Sequence, residues 1–168
     1  MTAGVAAAPW MLGILGTALA MLMFAIAVVD ARRFIIPDYL TAAAFVLACA
    51  HAAILQPDAP VASVGFAILR GVAFAGALFC VRALYLEWRE LEAIGLGDVK
   101  LAAAAGAWLD WTMMPVAIEI AALAALAWCG VAHVWGKRRM TAMTRVPFGL
   151  FFAPAIYLSW LLQAAMAQ

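Results

Sequence analysis

Two aspartates in very apolar surroundings are the residues of this chain best suited to chemistry. Asp30 follows a long apolar run, and Asp98 lies in the stretch GLGDVK, residues 95–100, just before another. Two carboxylates held close together cannot both ionise, so one acid and one base coexist near neutral pH. The ionised carboxylate takes a proton from a water that attacks a carbonyl, while the protonated one hydrogen-bonds the carbonyl oxygen. This is the chemistry of aspartic proteases, and it needs neither a metal nor an organic cofactor.

The residues around the second aspartate have a functional and a plainer interpretation. Gly95 and Gly97 lack a Cβ, which allows unusual backbone angles and lets a peptide approach closely. The N-terminus of the following helix also offers free N–H groups and a positive dipole end beside Asp98. In the plainer interpretation the glycines only interrupt the chain and Asp98 caps the next helix. Spacing alone favours the plainer interpretation, because GxGD is only four residues long.

The segment after Asp30 and the segment before the last apolar run each have a functional and a plainer interpretation as well. Asp30 is equally consistent with an interfacial residue whose arginine neighbours bind lipid phosphates. Asp38 follows Pro37 and precedes an apolar run, which predicts a helix N-cap. The stretch RVPFG, residues 145–149, either shapes the entry into the last helix or forms a plain turn.

The composition places these residues in a membrane protein. Of the 168 residues, 70% are hydrophobic and only 11% charged, and the mean hydropathy is +1.07, far outside the usual range of soluble domains. A membrane-spanning helix needs about 20 apolar residues. The sequence therefore predicts an all-α, polytopic membrane protein with one domain, 1–168. The six predicted spans are roughly 10–29, 39–55, 62–85, 98–113, 115–135 and 147–166.

The basic residues predict how these helices are oriented. Nine of the ten Lys and Arg residues lie in or beside the loops between helices one and two, three and four, and five and six. Short loops rich in Lys and Arg stay cytoplasmic. Both termini are therefore predicted to lie outside, with Asp30 and Asp98 on the cytoplasmic side. The net charge of +1 gives no general signal for nucleic-acid binding.

Other polar residues in the apolar runs have structural interpretations. Arg70 and Glu119 both fall in the outer half of the membrane, which predicts a structural ion pair or snorkelling to the interface. His51 and His133 have no partner at ligand spacing and are predicted to be interfacial. Small residues around 102–107 predict close helix packing. The cysteines form no metal motif and are predicted to be small buried side chains: Cys49, Cys80 and Cys129.

Three stretches together resemble the signature of type IV prepilin peptidases, which are membrane aspartic proteases of the GxGD class. They are DARRFIIPD (30–38), GLGDVK (95–100) and RVPFG (145–149), and all lie on the predicted cytoplasmic side. The resemblance implies that Asp30 and Asp98 are the catalytic pair. It implies supporting roles for the other matching positions, which are Pro37, Asp38, Gly95, Gly97, Lys100, Pro147, Phe148 and Gly149.

The same resemblance implies a substrate and a location. Members of this family remove the short basic leader of prepilins and pilin-like proteins at the cytoplasmic face of the bacterial inner membrane. Larger members carry an N-terminal region with paired CxxC motifs, associated with methylation of the new pilin N-terminus. This sequence contains no CxxC and is similar to the compact members of tight-adherence (Flp-type) pilus systems. We therefore expect neither methyl transfer nor a bound zinc.

Three glutamates just ahead of the second motif are candidate contacts for a basic leader: Glu87, Glu90 and Glu92. A solvated interfacial helix with Tyr85 and Trp88 at headgroup level explains them at least as well. Two other functions also stay open. One is a small ion-coupled transporter, in which acids would be distributed through the depth of the membrane. The other is a non-catalytic assembly subunit that binds pilin without cutting it.

Overall fold

The computed structural model describes residues 9–89, 94–135 and 147–166, and this part of the chain folds into six α-helices. The predicted all-α fold is confirmed, and the described residues contain no strand. The helices are α1 (Pro9–Arg33), α2 (Asp38–Leu55), α3 (Pro60–Arg89), α4 (Leu96–Trp108), α5 (Met113–Val134) and α6 (Phe148–Met166).

Five of these helices, all except α4, are long and apolar enough to cross a membrane. The 13 residues of α4 extend about 20 Å at about 1.5 Å per residue, which is less than the ~30 Å of a bilayer's hydrocarbon core. Seven of these residues are buried, from Leu101 to Trp108. α4 packs against α2, α3 and α6, so it forms the centre of the helix bundle.

Small residues let α3 and α4 pack with their backbones in contact. A Cβ atom on Gly106 would lie 2.8 Å from the carbonyl oxygen of Arg70, and one on Gly71 would lie 2.7 Å from that of Ala103. Neither glycine can therefore gain a side chain without moving the opposite backbone. The expected close packing around residues 102–107 is thus a contact of α4 with α3.

Two helix ends near the candidate site differ from the predicted ones. α1 continues past Asp30 to Arg33 and ends where Phe34 adopts a left-handed backbone angle, φ 54°, a common way to end a helix. The predicted N-cap role of Asp38 is wrong, because Pro37 holds the N-cap position and no side chain caps α2. Asp38 is the first residue of the helix, and its carboxylate binds Lys100 instead.

Arg70 does not form the predicted ion pair with Glu119. Its Nε–H donates to the carbonyl oxygen of Gly106 at 3.2 Å, and Nη2 donates to that of Ala107 at 3.5 Å. These carbonyls belong to the last turn of α4, where they lack helical partners and carry the negative end of the dipole. Glu119 is exposed on α5, which packs against α6. The guanidinium therefore satisfies a helix C-terminus.

His51 is buried, so its predicted interfacial position is wrong. Its ring lies 4.7 Å from that of Trp108 and 6.1 Å from that of Trp160, measured between centroids. Trp108 in turn donates its indole N–H to the carbonyl of Ala44 at 2.9 Å. Side chains of α2, α4 and α6 enclose the imidazole here. None of the three cysteines is fully buried as predicted, since Cys80 is exposed on α3 and Cys49 and Cys129 are half-buried. The His133 side chain lies outside the described part.

Candidate active site

Asp30 lies in the last turn of α1 and points into the bundle. Its side chain is only 5% exposed, and its Oδ2 accepts a hydrogen bond from the backbone N–H of Leu150 at 3.0 Å. Leu150 belongs to the first turn of α6, whose N–H groups have no partner within their own helix. The carboxylate therefore binds a donor at the positive end of the α6 dipole, and it shares this N–H with the carbonyl oxygen of Pro147. This contact joins two segments 120 residues apart.

Asp98 lies in the first turn of α4, immediately after the two glycines. Its Oδ2 accepts a hydrogen bond from the backbone N–H of Gly95 at 3.3 Å, and the side chain is partly buried. The turn itself is supported from α3, because Arg82 donates its Nε–H to the carbonyl of Ile94 at 2.9 Å. Arg82 and Arg70 thus hold opposite ends of the segment that carries Asp98.

Ile36 joins the two motifs that the aspartates belong to. A Cβ atom on Gly97 would lie 3.0 Å from the Cβ of Ile36, and one on Gly149 would lie 2.8 Å from its Cδ1. The Cβ on Gly149 would also lie 2.9 Å from the Oδ2 of Asp30. Both glycines are therefore needed for close approach to the buried Ile36. Sequence reasoning does not identify Ile36, although an apolar residue directly before Pro37 could have indicated a buried side chain in this motif.

The two aspartates interact electrostatically. Burial raises the pKa of Asp98 to about 6, and the negative charge of Asp30 contributes to this rise, while the hydrogen bond from Gly95 opposes it. Asp98 lies at the start of α4, outside the five helices that are long enough to span a membrane. Below about pH 6 the pair therefore holds a proton on Asp98. Above that pH Asp98 loses this proton, and its negative charge is repelled by that of Asp30.

The sequence of most of these helices matches a known family. Residues 17–130 match the model of the type IV leader peptidase family, and this range includes the first two motifs. The chain belongs to the type IV leader peptidase family.

Three relatives illustrate the similarity. The chain is 44% identical over 93 residues to a prepilin leader peptidase/N-methyltransferase of Burkholderia pseudomallei strain 1026b, covering 52% of this chain and 29% of the relative. It is 30% identical over 140 residues to a protein of the same name from Escherichia coli K12, covering 81% and 60%. It is 31% identical over 128 residues to the leader peptidase HopD of Escherichia coli, covering 75% and 78%.

The matched lengths differ between these relatives. The chain spans less than a third of the Burkholderia protein and about 60% of the Escherichia coli K12 one. No solved structure matches the chain.

A salt bridge joins the first two motifs of this chain. The Nζ of Lys100 lies 2.6 Å from Oδ1 of Asp38, so the first residue of α2 is tied to the first turns of α4. Both side chains are at least half exposed, and such pairs contribute about 0–1 kcal/mol to stability. The salt bridge therefore adds little to stability, but it does connect the start of α2 with the first turns of α4.

We expect Lys100→Ala to lower the cleavage rate about 2- to 10-fold, because α4 loses a contact that places Asp98, with less than about 1 kcal/mol lost in stability. Lys100→Asp and Asp38→Lys should each lower the cleavage rate by a similar factor. The double variant with exchanged charges should recover most of the rate, as measured by initial rates of peptide cleavage. If the exchanged pair is no faster than the single variants, the salt bridge does not position the site.

We also expect Asp98→Asn to stabilise the folded protein at high pH. The folded state binds the Asp98 proton more tightly than the unfolded state, so wild-type stability falls as pH rises from about 4 to 6. An asparagine at position 98 places no charge at this partly buried position, and its side-chain oxygen can still accept the hydrogen bond from the backbone N–H of Gly95. The gain should be about 1 kcal/mol at pH 8, since Asp98 is partly solvated, and should vanish towards pH 4.

Thermal unfolding in detergent at both pH values measures this effect. Asp58→Asn is the control, because Asp58 is exposed in the turn between α2 and α3 and should show no gain that depends on pH. A destabilised Asp98→Asn protein at pH 8 would contradict the prediction.

The remaining residues implied by the resemblance lie as follows. Pro147 precedes α6, and its carbonyl accepts the N–H of Leu150 at 3.3 Å. Phe148 begins α6 and packs on Phe152, with 5.4 Å between ring centroids. Glu87 is exposed near the end of α3. Glu90 and Glu92 lie outside the described residues. Within the described ranges, no group of three His, Cys, Asp or Glu side chains is placed to hold a metal ion.

Proposed function

We propose that this protein is a membrane aspartic endopeptidase that removes the short basic leader of type IV prepilins or pilin-like proteins. The observation that carries the proposal is that Asp30 and the segment with Asp98 lie at one end of the bundle, where Ile36 packs against both Gly97 and Gly149; the charge of Asp30 contributes to the raised pKa of Asp98. Support also comes from relatives that are named prepilin leader peptidases. A coupled carboxylate pair with one proton is what the hydrolysis of a peptide bond needs.

In the proposed mechanism the two carboxylates have different roles. Asp98 keeps the shared proton and donates it in a hydrogen bond to the carbonyl oxygen of the scissile peptide. Asp30 acts as the base and takes a proton from the attacking water. The N–H of Leu150 holds the Asp30 carboxylate in place during this step. When the tetrahedral intermediate collapses and its C–N bond breaks, Asp30 passes the proton that it took from the water to the leaving amine of the mature protein, and the leader leaves with a new carboxylate.

The proposal includes a location and an orientation. The single domain, 1–168, lies in the bacterial inner membrane, with both termini outside and the aspartates at the cytoplasmic face. The charge distribution supports this orientation, since nine of the ten basic residues lie in or beside the loops on one side. The partners are then the lipid bilayer and a prepilin.

The experiment that tests this function is co-expression with a candidate prepilin. We expect the prepilin to lose its leader only when this chain is present, as a shift to lower mass on a gel and by mass spectrometry of the new N-terminus. A prepilin whose scissile bond is altered serves as the substrate control. Unprocessed prepilin, despite normal membrane levels of both proteins, would refute the proposed activity.

The three glutamates at and beyond the end of α3 belong to the same proposal as a recruitment surface for the basic leader. Replacing Glu87, Glu90 and Glu92 by Gln should raise KM for a basic leader about 3- to 10-fold at low salt, because a nearby opposite charge on the enzyme is lost, and should leave kcat unchanged. The effect should shrink as ionic strength rises.

The control for this variant removes acidic charge from the opposite end of the bundle. Asp58 and Asp110 are both exposed there, and their replacement by Asn should leave KM unchanged. Recruitment by the three glutamates is refuted if KM is the same in their variant and in the wild type.

A further inference from the structure

A second polar feature lies on α1 away from the aspartates. A cleft of about 420 Å³ opens at the end of α1 and the start of α2. Arg32, Arg33 and Tyr39 line it together with aliphatic side chains, among them Val28 and Ile35. Its volume lies within the range of sites that hold small molecules.

The guanidinium groups of the two arginines in the cleft have no partner among the described residues. Both are exposed, and neither forms a hydrogen bond or an ion pair with any residue in the described part of the chain. Two guanidinium groups that line one cleft favour an anion, and phosphate oxygens match their fork of N–H donors. Tyr39 adds a hydroxyl group next to them.

The cleft shares Pro37 with the first motif but opens on a different side of α1 from the Asp30 carboxylate. At about 100° per residue, the α1 residues that line it lie on average about 130° around the helix from Asp30, with Arg33 the nearest at about 60°. Asp30 points into the bundle, whereas the cleft faces outwards beside exposed residues. A ligand in the cleft therefore does not occupy the place of a peptide bound between the aspartates.

The surface that leads to the cleft is apolar. Met21 and Phe24 lie on the same face of α1 as Val28, about two turns and one turn earlier, and both are exposed. α1 is one of the helices able to cross a membrane, so this face meets acyl chains where the helix is in the bilayer. Basic residues at the end of such a span lie at headgroup level.

We propose that this cleft binds the phosphate headgroup of an anionic phospholipid, with the acyl chains along the Met21 and Phe24 face of α1. The arginines contact the phosphate, and Tyr39 closes the site from α2. The bound lipid steadies the short α1–α2 connection, in which Phe34 has a left-handed backbone angle. The inference is independent of the proposed proteolytic activity.

Binding is tested with the whole protein purified in detergent. Phosphatidylglycerol is titrated in, and bound lipid is counted by native mass spectrometry. We expect Arg32→Gln/Arg33→Gln to weaken phosphatidylglycerol binding about tenfold or more, with little change for phosphatidylcholine. The control, Arg138→Gln/Arg139→Gln, removes the same charge from another loop, outside the described residues, and should bind as the wild type does. Equal losses in both variants would show unspecific surface attraction and overturn the proposal.

Two further measurements keep the test decisive. A photoactivatable phosphatidylglycerol on the wild type should label the peptide that contains residues 28–39, and labelling elsewhere only would overturn the proposal even if the double variant failed to fold. Inorganic phosphate alone should raise the melting temperature of the wild type less than phosphatidylglycerol does. An equal rise would mean that the cleft binds free phosphate and that the lipid is not its ligand.

Discussion

Asp30→Asn and Asp98→Asn should each reduce leader removal at least about 10³-fold, because each deletes one half of the proton transfer that activates water. An asparagine at position 30 cannot accept the proton of the water, and one at position 98 cannot hold the shared proton that forms the O–H hydrogen bond to the scissile carbonyl oxygen. Rates of prepilin cleavage by the purified variants measure the loss. Both variants should reach wild-type levels in the membrane.

The matched control is Asp58→Asn, which makes the same change at an exposed position of the α2–α3 turn. It should cleave as fast as the wild type. Full processing by either Asp30→Asn or Asp98→Asn would eliminate the proposed pair. An Asp98→Asn variant that still supports pilus assembly without cleavage would favour the assembly subunit instead.

Gly149→Ala should lower kcat at least about 100-fold while the protein stays folded. The new Cβ would lie 2.9 Å from Oδ2 of Asp30 and 2.8 Å from Cδ1 of Ile36, closer than such atoms can stay. Both neighbours are side-chain ends that can rotate away, so the carboxylate leaves its position and the hydrogen bond from Leu150 is lost. A displacement of about 1 Å at a reacting group is enough for such a loss.

Gly130→Ala is the control for this substitution. Gly130 lies on α5, and a Cβ atom there would have no neighbour within 4 Å, so alanine should keep full activity and stabilise the helix slightly. Cleavage kinetics and thermal unfolding of both variants should separate loss of function from loss of fold. Wild-type kcat in Gly149→Ala would mean that Asp30 does not need its observed position.

Much of the membrane architecture follows from local sequence. Runs of about 20 apolar residues predict helices wherever they occur, because a bilayer leaves the backbone few other ways to satisfy its hydrogen bonds. Hydropathy predicts all six helices in this way. α4 is the weakest case, since the structure has a helix of 13 residues at Leu96–Trp108 in place of the predicted span 98–113. Because other helices surround α4, a helix shorter than the hydrocarbon core of the membrane can form there.

The partners of the polar side chains do not follow from the sequence. Opposite charge alone matches Arg70 with Glu119, but the end of α4 lies closer and offers free carbonyls. The position of Asp38 before an apolar run predicts a cap, but Lys100 lies within reach across the bundle. In both cases the choice depends on which helices are neighbours, and hydropathy carries no such information.

Residue types and short motifs by themselves determined that this is an α-helical membrane protein with acidic residues at Asp30 and Asp98, because helix formation in lipid and motif chemistry are local properties. Only the tertiary structure decided that Leu150 donates to Asp30 and that Ile36 lies against Gly97 and Gly149. These contacts join segments up to 120 residues apart, and their geometry depends on how the whole bundle packs.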